Sequence, residues 1–127
     1  MKVEEFVELI VQLLGESRRP NPEQQACIVD DGASPLLIVA GPGSGKTTVL
    51  VLRALRHVVV DRIAPEHIMI TTIPRKAAKE IRTRLIEWGI PILEAAARDP
   101  NIDAELRGFL REVVTYTTFD DPVCIFA

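Results

Sequence analysis

A glycine-rich segment that ends in Gly45-Lys46-Thr47 carries the clearest chemistry in the sequence. It follows the apolar run Leu36–Val39 and precedes a second apolar stretch. Glycines allow the backbone to curl round an anion, so that successive N–H groups point toward it. A strand, a glycine-rich turn and a helix in this order are typical of the phosphate-binding Walker A loop. We therefore predict that residues 40–47 bind nucleotide phosphates.

The residue types in this loop fit a nucleotide bound with Mg²⁺. Lys46 would contact the β- and γ-phosphates, and the Thr47 hydroxyl would bind the metal ion. A flexible glycine and serine linker is the alternative, but a linker rarely lies between an apolar run and an apolar helix. We therefore predict Lys46 and Thr47 as catalytic residues and Thr47 as the metal ligand. The other predicted phosphate-binding residues of the loop are Ala40, Gly41, Pro42, Gly43, Ser44 and Gly45.

The composition is that of a globular protein with one domain. The chain has 127 residues, of which 47% are hydrophobic and 26% are charged, and this length can bury an ordinary core. No apolar run is long enough to span a bilayer, and the first residues lack the pattern of a signal peptide. We therefore predict a cytoplasmic protein without membrane contact. Cys27 and Cys124 lie far apart and predict neither a disulfide framework nor a zinc site.

The net charge of −3 argues against a protein that binds nucleic acid over its whole surface. The charge is unevenly distributed, because residues 53–84 contain eight basic and three acidic side chains. The segments on both sides of this stretch are acidic. A polyanion would therefore bind at this stretch.

Hydrophobic spacing and capping residues predict the helices around the loop. Apolar side chains at three- and four-residue intervals predict a helix over residues 3–14. Asn21 and Gln24 have the spacing of a capping box, so a second helix begins there. A third helix is predicted over residues 46–60. Its polar stripe consists of Arg53, Arg56 and His57, and His57 is predicted to be a solvated surface residue.

The rest of the sequence predicts two strands and further helices. Residues 68–72 and 113–119 are rich in β-branched side chains, which predicts strands. Between them we predict a helix over residues 74–88 that ends before Gly89, then short helical segments. With residues 36–39 as the first strand, this order predicts an α/β fold, a three-layer sandwich with a mainly parallel sheet.

A stripe of basic side chains lies on one face of the helix predicted over residues 74–88. Arg75, Lys79 and Arg82 recur at helical spacing. Such a stripe is commonly a solvated surface. Beside a nucleotide loop it is also a candidate contact to a phosphate backbone. The pattern alone leaves both interpretations open, and the absence of aromatic residues between the charges argues against base stacking.

Three segments resemble the N-terminal ATP-binding part of the UvrD/Rep/PcrA helicases, superfamily 1 motors that move 3′ to 5′ on single-stranded DNA. Residues 21–25, NPEQQ, are similar to the family's Q motif, and residues 40–47, AGPGSGKT, are close to its Walker A sequence AGAGSGKT. Residues 72–81, TIPRKAAKEI, resemble motif Ia, usually TFTNKAAREM. The resemblance covers approximately residues 21–119.

This resemblance implies a RecA-like P-loop NTPase fold and roles for further residues. Gln24 would recognise adenine, so ATP with Mg²⁺ is the expected cofactor, and Thr48 completes the predicted nucleotide site. The implied contacts to the backbone of single-stranded DNA are Arg75, Lys76, Lys79 and Arg82. Residues 1–20 would form an amphipathic helix and linker, and residues 21–127 a partial RecA-like domain.

Several positions depart from the family pattern. Thr48 stands where the family usually has an arginine, and residues 73–75 differ from its Phe-Thr-Asn. The sequence ends before the family's Asp-Glu pair, so we expect an excised or truncated part with an incomplete sheet, which binds ATP far better than it hydrolyses ATP. An uncovered sheet edge would invite pairing with a second copy.

Two other functions stay open at this point. A small stand-alone P-loop ATPase or kinase would need Asp120 or Asp121 near Thr47 as a metal carboxylate. A non-catalytic nucleotide-binding remnant would bind ATP weakly and leave the basic stripe without a ligand. The main hypothesis is the ATP-binding N-terminal part of an ATP-dependent DNA helicase.

Overall fold

Helices make up most of the described part of the chain. The computed structural model describes residues 1–39, 45–71, 74–117 and 124–126. The helices within these ranges are α1 (Val3–Leu14), α2 (Pro22–Val29), α3 (Lys46–Val59), α4 (Arg75–Arg98) and α5 (Ala104–Thr117). The other described elements are two short strands, β1 (Met69–Thr71) and β2 (Cys124–Phe126), and two 3₁₀ turns, Glu16–Arg18 and Pro65–His67.

The hydrophobic core lies between α1, α3, α4 and α5. Each helix has an apolar face, and these faces meet around α4, which contacts the other three helices. The largest fully buried side chains are Phe6, Ile10, Ile28, Leu52, Ile92, Leu106, Leu110, Val51, Val59 and Val113. Burial of one such side chain stabilises the fold by about 1.5–3 kcal/mol, so contacts between the helices hold the structure together.

No helix in the described ranges combines the length and the apolar character that a membrane span requires. The cytoplasmic location stays a prediction.

α4 is longer than the sequence pattern predicts. The predicted helix end before Gly89 is wrong, because α4 continues to Arg98 with Pro91 in its interior. An internal proline costs about 3 kcal/mol, but the continued helix buries Ile92 and other apolar side chains, which offsets that cost. Gly89 allows the approach of α3, since a Cβ atom there would lie 2.9 Å from Leu55 Cδ2.

In the described ranges β1 pairs with β2, and the two strands run parallel with Ile70 opposite Ile125. The predicted strand over residues 68–72 is confirmed at β1. The predicted strand Leu36–Val39 is wrong, because it has no regular secondary structure, and Leu37 and Val39 are 86% and 87% exposed.

The predicted three-layer α/β sandwich with a mainly parallel sheet, a RecA-like P-loop NTPase fold, is therefore wrong for the described structure, which is mostly helical. A strand forms only when a second strand satisfies its backbone groups. The apolar run in residues 36–39 predicts burial, but it does not specify which segment pairs with it. Pairing of a second copy at a sheet edge stays a prediction.

The predicted strand over residues 113–119 is also wrong where the structure describes it. Residues 113–117 belong to α5, and residues 118 and 119 lie outside the described part. Val113 is buried on the same helix face as Leu106 and Leu110. Differences in β-propensity span only about 1 kcal/mol, which is less than the burial of one such side chain contributes. Packing therefore overrides local propensity here.

The segment between α1 and α2 is tied to the helices. Arg19 pairs with Glu8 at 3.1 Å and with Glu16 at 2.6 Å. The Arg18 guanidinium carbon lies 5.3 Å from the centre of the Trp88 ring, within the range of a cation–π contact. Residues 1–20 thus contact the rest of the chain, and their separation from residues 21–127 stays a prediction.

Candidate functional site

The end of the predicted phosphate loop lies beside Gln24. α3 begins at Lys46, and Gly45 before it has the left-handed dihedral angles φ 83° and ψ 26°. A Cβ atom added to Gly45 would lie 2.6 Å from Gln24 Nε2. This position therefore requires glycine for two reasons, the backbone conformation and the close approach of a side chain. Two predicted motifs that are distant along the sequence meet at this point.

Gln24 is held in place by the start of α2. Its side-chain Oε1 accepts a hydrogen bond from the Asn21 backbone N–H at 3.0 Å, and its own backbone N–H donates to Asn21 Oδ1 at 2.8 Å. These bonds form the predicted capping box, which is confirmed. Because the side-chain oxygen binds the cap, the amide nitrogen is the end of Gln24 that faces Gly45.

A pocket of about 130 Å³ lies between α2, α3 and the segment before the loop. Its lining residues are Asn21, Glu23, Gln24, Cys27, Ile38, Val39, Lys46 and Val49. Both α2 and α3 begin here, so the positive ends of two helix dipoles meet at the pocket. Typical ligand sites have volumes of about 300–1,000 Å³, so the described walls have room for part of a nucleotide.

The remaining predicted nucleotide-site residues fall into two groups. Lys46 is exposed at the first position of α3, and Thr47 and Thr48 are partly buried after it. The residues that lie outside the described part are Ala40, Gly41, Pro42, Gly43, Ser44, Asp120 and Asp121. In the ranges that the structure covers, no group of three His, Cys, Asp or Glu side chains is placed to bind a metal ion.

Hydrogen bonds join the other end of α2 to α3. Arg53 Nη1 donates to the Cys27 carbonyl at 2.5 Å, and Arg53 Nη2 donates to Asp30 Oδ1 at 3.0 Å. Arg56 Nη1 donates to the Asp30 carbonyl at 2.6 Å and lies 3.2 Å from Asp61 Oδ2. Carbonyl groups at the end of a helix have no partner within that helix. The two arginines supply donors there.

The polar stripe on α3 is therefore not an open surface, and His57, predicted to be solvated, is partly buried. Arg56 is only 3% exposed, and Arg53 and His57 are partly buried. His57 Nδ1 lies 2.7 Å from Asp61 Oδ2. The spacing of the three residues predicts a shared face, but it does not show that the end of α2 covers this face. The acidic helix end at Asp30 is the sequence signal that points to a basic partner.

Asp30→Asn should change stability in a pH-dependent way. The Gly32 backbone N–H and the Arg53 guanidinium bind the Asp30 carboxylate and hold its pKa below the ordinary value of 3.8. A carboxylate with a lowered folded-state pKa contributes stability above its unfolded-state pKa and loses this contribution as the pH falls through the folded-state pKa. We expect urea unfolding to find the variant less stable than the wild type at neutral pH, and the two equally stable once Asp30 is protonated.

Asp31→Asn is the matched control, because it removes the same charge one residue away. The Asp31 carboxylate accepts a hydrogen bond from the Ala33 backbone N–H at 2.8 Å and has no arginine partner among the described residues. The stability difference between variant and wild type should change more with pH for Asp30→Asn than for Asp31→Asn. A difference that stays constant from neutral to strongly acid pH would contradict the role of the Asp30 charge.

The first half of α4 carries an exposed basic surface, here named the α4 basic surface, which consists of Arg75, Lys76, Lys79 and Arg82. None of these side chains forms an ion pair with another described residue. Arg75 and Lys76 lie in the first turn, which contains no acidic residue. Cations near a helix N-terminus are unfavourable by about 0.3–1 kcal/mol each. Helix stability therefore does not explain their position.

Residues 20–121 match the family described as UvrD/REP helicase N-terminal domain, and the chain belongs to this family. ATP-dependent DNA helicase UvrD1 of Mycobacterium leprae (strain TN) is 46% identical over 65 residues, which cover 51% of this chain and 8% of that protein. DNA helicase IV of Escherichia coli (strain K12) is 43% identical over 72 residues, which cover 57% of this chain and 10% of that protein. ATP-dependent DNA helicase SRS2 of Saccharomyces cerevisiae (strain ATCC 204508 / S288c) is 40% identical over 67 residues, which cover 53% of this chain and 6% of that protein.

The family resemblance predicted from the three motifs is thus confirmed. The match to UvrD1 of M. leprae spans 8% of the length of that relative. No solved structure matches the chain.

Proposed function

We propose that the chain is the ATP-binding N-terminal part of a UvrD/Rep-type ATP-dependent DNA helicase. The observation that carries this proposal is the position of the Gln24 side chain against Gly45, at the start of α3. In this interpretation Gln24 binds adenine, and residues 40–48 bind the phosphates. The relatives named as ATP-dependent DNA helicases support ATP as the nucleotide.

The local chemistry fits a nucleotide with Mg²⁺. The left-handed Gly45 leaves space that a Cβ atom would fill, and the N-termini of α2 and α3 provide a positive potential for phosphate. Lys46 adds a full positive charge at the same place. Mg²⁺ usually binds through substrate phosphates, water and one or two protein ligands, so the Thr47 hydroxyl suffices as a first protein ligand.

Gln24→Glu should reduce the preference of the chain for ATP over GTP. Glutamate can replace glutamine in a capping box, so the start of α2 stays intact, but the variant loses the amide N–H groups on the loop side. Loss of one hydrogen bond worth about 0.5–1.5 kcal/mol weakens binding by roughly 2- to 10-fold. In calorimetric titrations, we expect the affinity of Gln24→Glu for ATP to fall by this factor more than its affinity for GTP falls.

The comparison with GTP separates base recognition from charge. The new carboxylate repels the phosphates of both nucleotides equally. Gln25→Glu is the matched control, since the next residue of α2 carries the same charge change and does not line the described walls of the pocket. Equal weakening of ATP and GTP by Gln24→Glu would contradict adenine recognition by Gln24.

We further propose that the α4 basic surface binds the backbone of single-stranded DNA. The surface presents four exposed cations on consecutive turns of one helix, a pattern that suits phosphates at regular spacing. The segment lies in the part of the chain that matches the helicase family. A purely solvated surface remains the competing interpretation, and it predicts no effect of charge reversal on DNA binding.

Lys79→Glu combined with Arg82→Glu should weaken binding of single-stranded DNA and reduce its salt dependence. Each lost phosphate contact lowers the magnitude of the slope of log K against log salt by about 0.7 for single strands. The slope of the double variant should therefore be smaller in magnitude by about 1.4. Fluorescence anisotropy of a labelled oligonucleotide over a series of salt concentrations measures both quantities.

The matched control is Lys2→Glu combined with Arg98→Glu, which makes the same change in net charge at exposed positions outside the surface. If both double variants weaken DNA binding equally, the protein's overall charge is responsible and the proposed surface is wrong.

A further inference from the structure

α2 is too short and too polar to hold its own position. It has eight residues, of which only Ile28 is buried, and isolated helices of this length are marginal in water. Its placement must come from contacts with neighbouring elements. α3 is its principal neighbour among the described elements.

α2 and α3 lie side by side with their N-terminal ends at the same pocket. At this end Gln24 approaches Gly45. At the opposite end of α2, the carbonyl groups of Cys27 and Asp30 accept hydrogen bonds from Arg53, which is located two turns along α3. α2 is therefore placed at both of its ends, by the start of α3 at one end and by Arg53, two turns further along α3, at the other.

We propose that Arg53 and Arg56 are positioning residues for the nucleotide pocket, which keep Gln24 beside Gly45 by holding the C-terminal end of α2 on α3. Arg53 makes three hydrogen bonds to the end of α2 and to the residue that follows it. Their acceptors are the Cys27 carbonyl, the Asp30 carbonyl and the Asp30 carboxylate. Arg56 is almost completely buried and adds one more, to the Asp30 carbonyl. Neither residue lines the pocket, so each acts through α2. This inference rests on the proposed function for its effect on nucleotide binding.

The burial of these contacts makes them effective. The side chain of Arg53 is 16% exposed, so water competes little for its hydrogen bonds. A planar guanidinium can bind a carbonyl and a carboxylate at the same time, which a lysine ammonium does less well. The geometry of α2 therefore depends on arginine rather than on positive charge alone.

Cys27 provides a measurement of α2 position that does not involve nucleotide. It lies on α2, is partly buried and lines the pocket. In a Cys124→Ser background it is the only thiol, because the chain has two cysteines. The rate at which a thiol reagent modifies Cys27 then reports how often α2 leaves α3.

The test is Arg53→Met in this background, with labelling of Cys27 and titrations with ATP and GTP. We expect labelling to be about tenfold faster or more, the ratio that corresponds to loss of a hydrogen bond to a charged group. The preference for ATP over GTP should fall. In the Gln24→Glu variant, where the ATP preference is already reduced, adding Arg53→Met should lower this preference by less than about twofold. The effects of residues that act through one another are not additive.

Two further variants separate positioning from a general loss of structure. Arg53→Lys should give an intermediate labelling rate, since it keeps the charge without the planar group. Arg98→Met removes an exposed arginine elsewhere and should leave the labelling rate and the ATP preference unchanged. Circular dichroism checks that each variant is folded.

Each outcome has a distinct meaning. Unchanged Cys27 labelling in Arg53→Met would overturn this inference, whatever the nucleotide data show. Faster labelling with an unaltered ATP preference would overturn the link between the arginine and Gln24. A wild-type chain that binds no nucleotide would instead overturn the proposed function, and the labelling rates would still decide whether Arg53 holds α2.

Discussion

Lys46→Ala should weaken binding of Mg²⁺-ATP by about 10- to 100-fold. A hydrogen bond to a charged group contributes about 1.5–3 kcal/mol, and each 1.4 kcal/mol corresponds to a factor of ten in affinity. Lys46 is the first residue of α3 and lines the pocket beside Gln24. Its ammonium group and the helix dipole act on the same anion, so the remaining backbone groups compensate only in part. Calorimetric titration of the wild type and the variant measures the loss.

Two additional variants show whether the effect is specific. Lys2→Ala removes the same charge at the exposed residue before α1, which does not line the pocket, and should leave ATP affinity within about twofold of the wild type. Lys46→Arg keeps the charge but changes the donor geometry, and we expect intermediate affinity. If Lys46→Ala binds Mg²⁺-ATP as tightly as the wild type does, the nucleotide site is elsewhere and the proposed function is wrong.

Phe6→Ala should destabilise the whole chain by about 3–5 kcal/mol, the typical cost of removing a buried phenylalanine side chain. Phe6 is completely buried in the core that α1 forms with α3 and α4. The free energy of unfolding of a domain is only about 5–15 kcal/mol, so this loss is a large fraction of the total. Chemical denaturation followed by circular dichroism and by fluorescence of Trp88 measures it.

The fluorescence of Trp88 also tests the predicted division at residue 20. Trp88 lies on α4 and is the only tryptophan of the chain. If α1 folds with the remainder, Phe6→Ala should shift the transitions of both signals equally. Leu13→Ala is the control on the same helix, since Leu13 is 41% exposed, and it should change stability far less. A Trp88 transition that Phe6→Ala leaves unaltered would show that α1 is a separate unit.

The part of the candidate site that was predictable has local causes. The capping box between Asn21 and Gln24 involves residues three positions apart, and the start of α3 at Lys46 follows a glycine in the left-handed conformation. In such cases the residue type and its immediate neighbours determine the geometry. The motif order is likewise a property of the linear chain, and the family that it predicts is confirmed by the match over residues 20–121.

The wrong predictions concern contacts between distant residues. The spacing of Arg53 and Arg56 predicts a polar stripe, but it does not show that the Cys27 and Asp30 carbonyl groups at the end of α2 accept their hydrogen bonds. Pro91 and Gly89 predict a helix end, whereas α4 continues because its next turns are buried. Local preferences of about 1–3 kcal/mol per residue are outweighed when several apolar side chains are buried together.

The sequence by itself determined the family, the cap of α2 and the positions of α1, α3 and β1. Only the tertiary structure decided that residues 36–39 have no strand partner in the described ranges, that residues 113–117 are helical, and that Gln24 meets Gly45. The physical reason is the range of the interactions. Helix caps and glycine conformations depend on near neighbours, whereas strand pairing, burial and the meeting of two motifs depend on which distant segments pack together.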